Sequence, residues 1–148
     1  MIEFVPFEPR HLQEIDAPTR DARHWIENAD ASGLVNGYAW SCLRDGACVG
    51  SAGVLPVWQW RALAWSFFGR MPANTWPAIT RKTVRVLDQA HEDGLHRIEM
   101  SVIMRFPAGH RWAEMLGFTY EGPMAGYGAR GETYALYGRV RYASEGGS

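Results

Sequence analysis

Glu99 is the one carboxylate on a stretch that reads as a central strand, Arg97 to Met104. A carboxylate so placed can act as a general base through a water, or sit as a hydrogen-bonded rim residue. The histidines offer less. His110 falls on the polar side of a short helix, and His91 and His96 flank a turn at Gly94. No pair has metal-ligand spacing supported by other donors, so no metal site is expected. No Gly-x-Ser-x-Gly or other nucleophile signature occurs, so any group transfer is expected to be direct. The two cysteines flank a hairpin turn at Asp45-Gly46. If Arg44 pairs with Ala47, Leu43 faces Cys48 and Cys42 faces Val49. The thiols then lie on opposite faces and are expected as buried apolar side chains of a cytosolic protein, with no disulfide.

These residues depend on the stretch His96 to Gly122, which reads as strand, loop, short helix, tight stop and second strand. The first strand carries Ile98, Val102 and Ile103 with little charge, which predicts cover on both faces. Phe106, Gly109, Trp112, Ala113 and Leu116 share one side of the helix, while His110, Arg111 and Glu114 take the other. Gly117 stands where a left-handed cap is needed, and Phe118 re-enters the core.

The rest of the chain reads in order. Ile2 to Phe7 predicts a strand, His11 to Ile15 a short helix, and Thr19 to Ala29 a helix with Ala22, Trp25, Ile26 and Ala29 on one face. A loop at Ser32-Gly33 ends it. Gly37 to Arg44 and Ala47 to Val57 make a hairpin around Asp45-Gly46. Ala62 to Phe68 is apolar nearly throughout, hence central. Thr75 is an N-cap with Pro77 in the first turn, and the helix to Glu92 buries Ile79, Thr83, Val86, Leu87 and Ala90. Glu132 to Val140 is the last strand. The strand–helix–strand from Ala62 to Met104 requires parallel pairing through a right-handed crossover, so a mixed α/β sheet is predicted.

Length and composition fit one domain over 1–142, with a small polar tail at 143–148 expected to fray. An apolar share of 47% and a charged share of 21% are those of an ordinary globule. A net charge of −1 implies no general attraction to nucleic acid or anionic membrane. Of 15 basic residues only Lys82 is lysine, which reads as coding bias rather than phosphate specialisation. The start, MIEFVPFEP, lacks the basic-then-apolar order of a leader, and no window approaches a membrane span, so a cytoplasmic protein is expected.

The element order, with Arg97-Ile98 and Val102 on the strand, Arg111-Trp112-Ala113, Leu116-Gly117-Phe118 and Glu121-Gly122, resembles the GNAT superfamily of acyl-CoA N-acyltransferases. The likeness spans almost the whole chain. Arg-Trp-Ala before Leu-Gly-Phe and the closing Tyr137-Gly138-Arg139-Val140 look most like its divergent phage- and prophage-encoded branch. The fold implied is β-α-α-β-β-β-α-β-α-β-β.

The resemblance implies acetyl-CoA as cofactor and an unidentified small-molecule or protein amine as acceptor. The family's pyrophosphate loop, Gln/Arg-x-x-Gly-x-Gly/Ala, falls on Arg70, Ala73 and Thr75, with Asn74 between. Both glycines are replaced and Pro72 removes an N–H donor; a capped helix start is the structural alternative. A main-chain N–H near Phe67 or Phe68 would meet the acyl carbonyl, where the strands Ala62–Phe68 and Arg97–Met104 would splay into a slot for the acyl-pantetheine arm. Arg81, Lys82 and Arg85 would face CoA phosphates or form a solvated helix face.

The family's Asn and acid Tyr positions hold Phe106 and Ala113, neither capable of proton chemistry. Among Tyr120, Tyr127, Tyr134 and Tyr137, Tyr120 is taken as the replacement acid and Glu99 as the base; packing is the alternative for the tyrosines. Gly126, Gly128 and Gly131 mark a loop between the last strands, where the resemblance implies part of the acceptor pocket or the dimer contact. Trp58 and Trp60 form a contact surface or cover the sheet edge. The alternative function is a catalytically silent GNAT fold, virion-associated, serving in assembly with phage structural proteins or as a binding module, as a monomer or homo-oligomer.

Overall fold

Asp45 and Gly46 both take positive φ, +52° and +86°, the left-handed pair that lets a two-residue turn follow the strand twist. In the computed structural model, which describes residues 1–142, this turn joins β2 (Tyr38–Arg44) to β3 (Ala47–Pro56). Before it come β1 (Ile2–Pro6), a 3₁₀ turn (Pro9–Glu14), α1 (Arg20–Asn28) and α2 (Ala31–Leu34). After it come β4 (Arg61–Phe68), a 3₁₀ turn (Ala73–Thr75), α3 (Trp76–Glu92), β5 (Arg97–Ile103), α4 (Pro107–Met115), β6 (Thr119–Met124) and β7 (Tyr134–Val140). The strands form a seven-stranded mixed sheet, ordered β1-β2-β3-β4-β5-β7-β6. The mixed α/β class is as expected. Ser32-Gly33, read as loop, belongs instead to α2, because the Asp30 carboxylate accepts from the Gly33 amide and starts a helical turn.

The residues divide into two compact units, Met1–Leu55 with Ala64–Val86, and Pro56–Leu63 with Leu87 onward. The tail at 143–148 lies outside the described residues. No helix among the described residues is long and apolar enough to cross a membrane.

In the first unit β1, β2 and β3 are antiparallel neighbours. Leu43 faces Cys48 as expected, but the register slips between Cys42 and Leu43, so Cys42 faces Gly50 and not Val49. The extra residue is a β-bulge, and it turns Cys48 and Ser51 to the same side. Their Sγ and Oγ atoms lie 3.6 Å apart, and Ser51 Oγ is 2.7 Å from Ser41 Oγ. Ser41 Oγ in turn is 2.7 Å from His11 Nδ1, which also accepts from the Glu8 amide at 3.1 Å. Nδ1 is therefore unprotonated, and the Ser41 hydroxyl donates to it. Both thiols are free and buried, and burial pushes Cys42 up to about 11.

Thr19 Oγ1 caps α1 by accepting from the Ala22 amide at 3.0 Å. Ile26 and Ala29 pack on Phe7, Leu12, Ile15 and Cys48. Trp25, expected on that face, is 39% exposed. Adjacent helix positions differ by about 100°, so a stripe centred on Ile26 and Ala29 leaves Trp25 at its margin.

In the second unit β4 and β5 run parallel, pairing Arg61, Ala62 and Leu63 with Arg97, Ile98 and Glu99. β7 is antiparallel to both β5 and β6. Ile98 and Val102 of β5 are buried, while Arg97, Glu99, Ser101 and Ile103 are only partly covered. The expectation of cover on both faces is corrected: one face of β5 carries charge, which keeps it near solvent.

Helix α4 stops in a Schellman motif. The Phe118 amide donates to Ala113 O and the Gly117 amide to Glu114 O, both at 3.0 Å, with Gly117 at φ +93°. A Cβ at Gly117 would also lie 3.1 Å from Arg139 Nε. Gly117→Ala is expected to cost about 1 kcal/mol in urea unfolding; an unchanged midpoint would contradict this role.

Candidate functional site

The connection from β4 to α3, in the first unit, is held at both ends. Phe68 packs its ring against Trp40 and Trp76, at centroid distances of 6.3 and 5.0 Å. Phe67 lies against Trp65 and the Phe7–Leu12–Ile15 cluster. A Cβ at Gly50 would run into the Phe68 ring, so the bare backbone of β3 is what admits that ring.

Arg70 does not extend freely into solvent. Its Nη1 is 2.8 Å from Asp16 Oδ1 and 3.1 Å from Ala17 O, and its Nη2 is 3.3 Å from Pro18 O. Pro72, Ala73 and Asn74 are exposed. Ala73 and Asn74 open the 3₁₀ turn, where the first N–H groups have no partner within the helical segment.

Thr75 is fully buried, and its hydroxyl accepts from Arg44 Nη1 at 3.2 Å. It is not the expected N-cap: it closes the 3₁₀ turn, its amide donating to Pro72 O at 3.0 Å, and α3 begins at Trp76. The turn continues straight into α3 and takes over the capping function. Of the basic residues on α3, Lys82 sits 5.8 Å above the Phe4 ring, while Arg81 and Arg85 are exposed.

The proposed acid and base lie in the second unit, and the structure does not bring them together. Glu99 is registered with Gly138. A Cβ on Gly138 would meet Glu121 Oε2 and Arg97 Nη1, so Glu99, Arg97 and Glu121 share one face. Tyr120 is registered with Tyr137, next to Gly138 and therefore on the opposite face. Glu99 Oε2 accepts from Arg97 Nε at 2.6 Å and lies 3.9 Å from Arg61 Nε. Arg97 also grips both Glu121 oxygens.

That grip, more than the opposing effect of burial, holds the Glu121 carboxyl below its ordinary value. The stabilisation is present above the unfolded glutamate pKa, near 4.5, and is lost as pH falls through the lower folded value. A third-exposed pair of this kind contributes about 0–1 kcal/mol. The stability difference between the wild type and Glu121→Gln is therefore expected to shrink below pH 4.5; a difference that persists at pH 2 would contradict the pairing.

On the opposite face Tyr137 is buried, and Tyr120, 48% exposed, sets its ring edge on Tyr137 at 5.8 Å. His110 Nε2 lies 3.0 Å from Met104 O and Nδ1 2.8 Å from Tyr137 Oη. A carbonyl only accepts, so Nε2 carries a proton, and Nδ1 pairs with the Tyr137 hydroxyl. Burial first, then the Glu114 charge, pushes the Tyr137 phenol up. Phe106, at the N-cap of α4, is 53% exposed, and Ala113 is fully buried. Trp58 and Trp60 are 68% and 51% exposed, with Trp60 stacked on His96.

Reasoning from sequence missed the Arg97 clamp, although Arg97 and Glu99, two apart on a strand, share a face by strand periodicity. It also missed Arg139, which is 8% exposed and donates from Nε to Leu116 O and from Nη2 to Asp88 Oδ1, both at 2.9 Å. No local pattern signals a buried arginine whose partners lie 23 and 51 residues away.

No protein-family model and no curated protein sequence matches the chain. Solved structures do match it along nearly its whole length. Ard1 from Thermoplasma volcanium is similar with a TM-score of 0.74 at 12% identity, covering 94% of this chain and 97% of that one. A GNAT-family acetyltransferase from Streptococcus pneumoniae gives 0.69 at 12%, covering 95% and 99%. YncA from Salmonella typhimurium, solved with its cofactor acetyl-CoA, gives 0.66 at 16%, covering 94% and 93%. At such identities the likeness is one of fold: this chain has the fold of the GNAT acetyltransferases.

Proposed function

We propose that the chain is an acyl-CoA-dependent N-acetyltransferase acting on an amine. The observation that carries this reading is the fold, shared along almost the full length of each chain with acetyltransferases, one of them solved with acetyl-CoA. Acetyl-CoA would supply the acetyl group activated as a thioester.

The β4–α3 connection fits an anionic group in part. The amides of exposed Ala73 and Asn74 at the 3₁₀ start, followed by the N-terminal end of α3, suit phosphate oxygens. Pro72 offers no donor, and buried Thr75 acts by fixing the turn through Arg44. Arg70 would add the charged contact, and the Phe67 or Phe68 amide would orient the acyl carbonyl. Glu99 would take the amine proton through a water. Tyr120, on the opposite face, does not reach the same reacting centre, so the leaving thiolate would take its proton from solvent.

A second reading, a catalytically silent GNAT fold of phage or prophage origin, is favoured by Phe106 and Ala113, which leave the family's Asn and Tyr positions at α4 without a group for proton chemistry. Exposed Trp58 and Trp60 would then serve contact with structural partners or a second copy.

Thiol release from acetyl-CoA separates the two readings. The enzyme reading expects release that depends on added primary amine and falls in Glu99→Gln. Absence of amine-dependent release across a panel of polyamines, amino acids and peptide amines, with co-purification of capsid or tail proteins, would favour the silent fold.

A further inference from the structure

We propose that Asp16 is a positioning residue of the β4–α3 connection, occupying the Arg70 guanidinium that a pyrophosphate must take over on binding. The inference rests on the reading of this connection as the pyrophosphate loop.

Two layers of contact join residues 16–18 to the loop, and they are separable. One is main-chain. The Arg70 amide donates to Asp16 O at 2.9 Å. A Cβ on Gly69 would lie 2.8 Å from both Asp16 N and Asp16 O, so the two backbones touch where only glycine fits. The other layer is the guanidinium, spread over Asp16 Oδ1, Ala17 O and Pro18 O. The main-chain layer does not depend on where the Arg70 side chain points. The guanidinium can therefore leave while the main-chain contact stays in place.

The exchange is cheap in this direction. The Arg70 and Asp16 side chains are 60% and 64% exposed, so their ion pair is screened and weak. A pyrophosphate offers more charge and a geometry matched to the planar fork, so it outcompetes a single carboxylate. Two neutral carbonyls remain behind, both able to take water. Asp16 thus lowers the affinity of the loop for anions while keeping Arg70 pointed at the α1 entry in their absence.

Calorimetric titration with coenzyme A of the wild type, Asp16→Asn, Arg70→Ala and the double variant tests this. Asp16→Asn is expected to bind about threefold to tenfold more tightly than the wild type. In the Arg70→Ala background the same change is expected to have no effect, because the competition acts only through the guanidinium. A gain that survives in that background would show a general effect of the charge and overturn the proposal. If the wild type and Asp16→Asn bind equally and Arg70→Ala binds more weakly, the proposal falls and the loop assignment stands; if all four bind equally, both fall. If none of the four proteins binds, both fall.

Discussion

Replacing Arg139 by alanine is expected to lower stability by about 3 kcal/mol and Tm by about 10 °C. Arg139 is the one arginine among the described residues whose side chain is nearly enclosed, 9% exposed where its partner Asp88 is 38% exposed. It joins three segments within the second unit. It stands on β7, donates from Nε to the Leu116 carbonyl at the end of α4, and pairs through Nη2 with Asp88 on α3. The Leu116 carbonyl is among those at a helix C-terminus with no partner in the helix, where positive charge is favoured.

Alanine would remove both charged hydrogen bonds and leave a void beside Gly117. Asp88 would keep only Arg141, at 3.1 Å. Arg139→Lys retains charge without the planar fork and cannot reach both acceptors, so it should recover less than half of the loss. Urea unfolding measures the difference; a loss below about 1 kcal/mol would mean that the buried guanidinium is dispensable.

Arg70→Glu is expected to weaken acetyl-CoA binding by about 10- to 100-fold. The substitution removes a charged donor from the proposed pyrophosphate loop and places a carboxylate there. It also sets the introduced carboxylate against that of Asp16. The exposed setting limits the cost to folding to a few tenths of a kcal/mol. A weakened affinity with unchanged Tm would therefore report on the ligand. Unchanged affinity would place the cofactor elsewhere in the fold.

What was legible in the sequence was local. The Asp45-Gly46 turn, the α3 stripe (Ile79, Leu87 and Ala90 buried, Thr83 and Val86 half-buried) and the Leu-Gly-Phe stop are each set by residues within one or two turns of chain. The structure reproduces all three. Legibility failed where geometry depends on distant pairing. The bulge at Cys42 and Leu43 shifts the register with no sequence mark. Glu99 and Tyr120 read as two candidate groups of one reaction, yet their faces are related only through β7, which pairs with both β5 and β6. Arg70 aligned with a phosphate ligand, and its neighbour Asp16 is 54 residues earlier in the chain. Thr75, a good cap by type, was taken instead by Arg44 across a span of 31 residues.

Of the candidate groups, those of the β4–α3 connection are adjacent in sequence and would bear on one ligand.

The most direct test is calorimetric titration of the unmodified protein with acetyl-CoA at millimolar concentration, with a melting curve at each end of the titration. Binding in the micromolar range, with Tm raised as ligand exceeds Kd, is the predicted result. No heat and no shift in Tm would contradict the acetyltransferase reading.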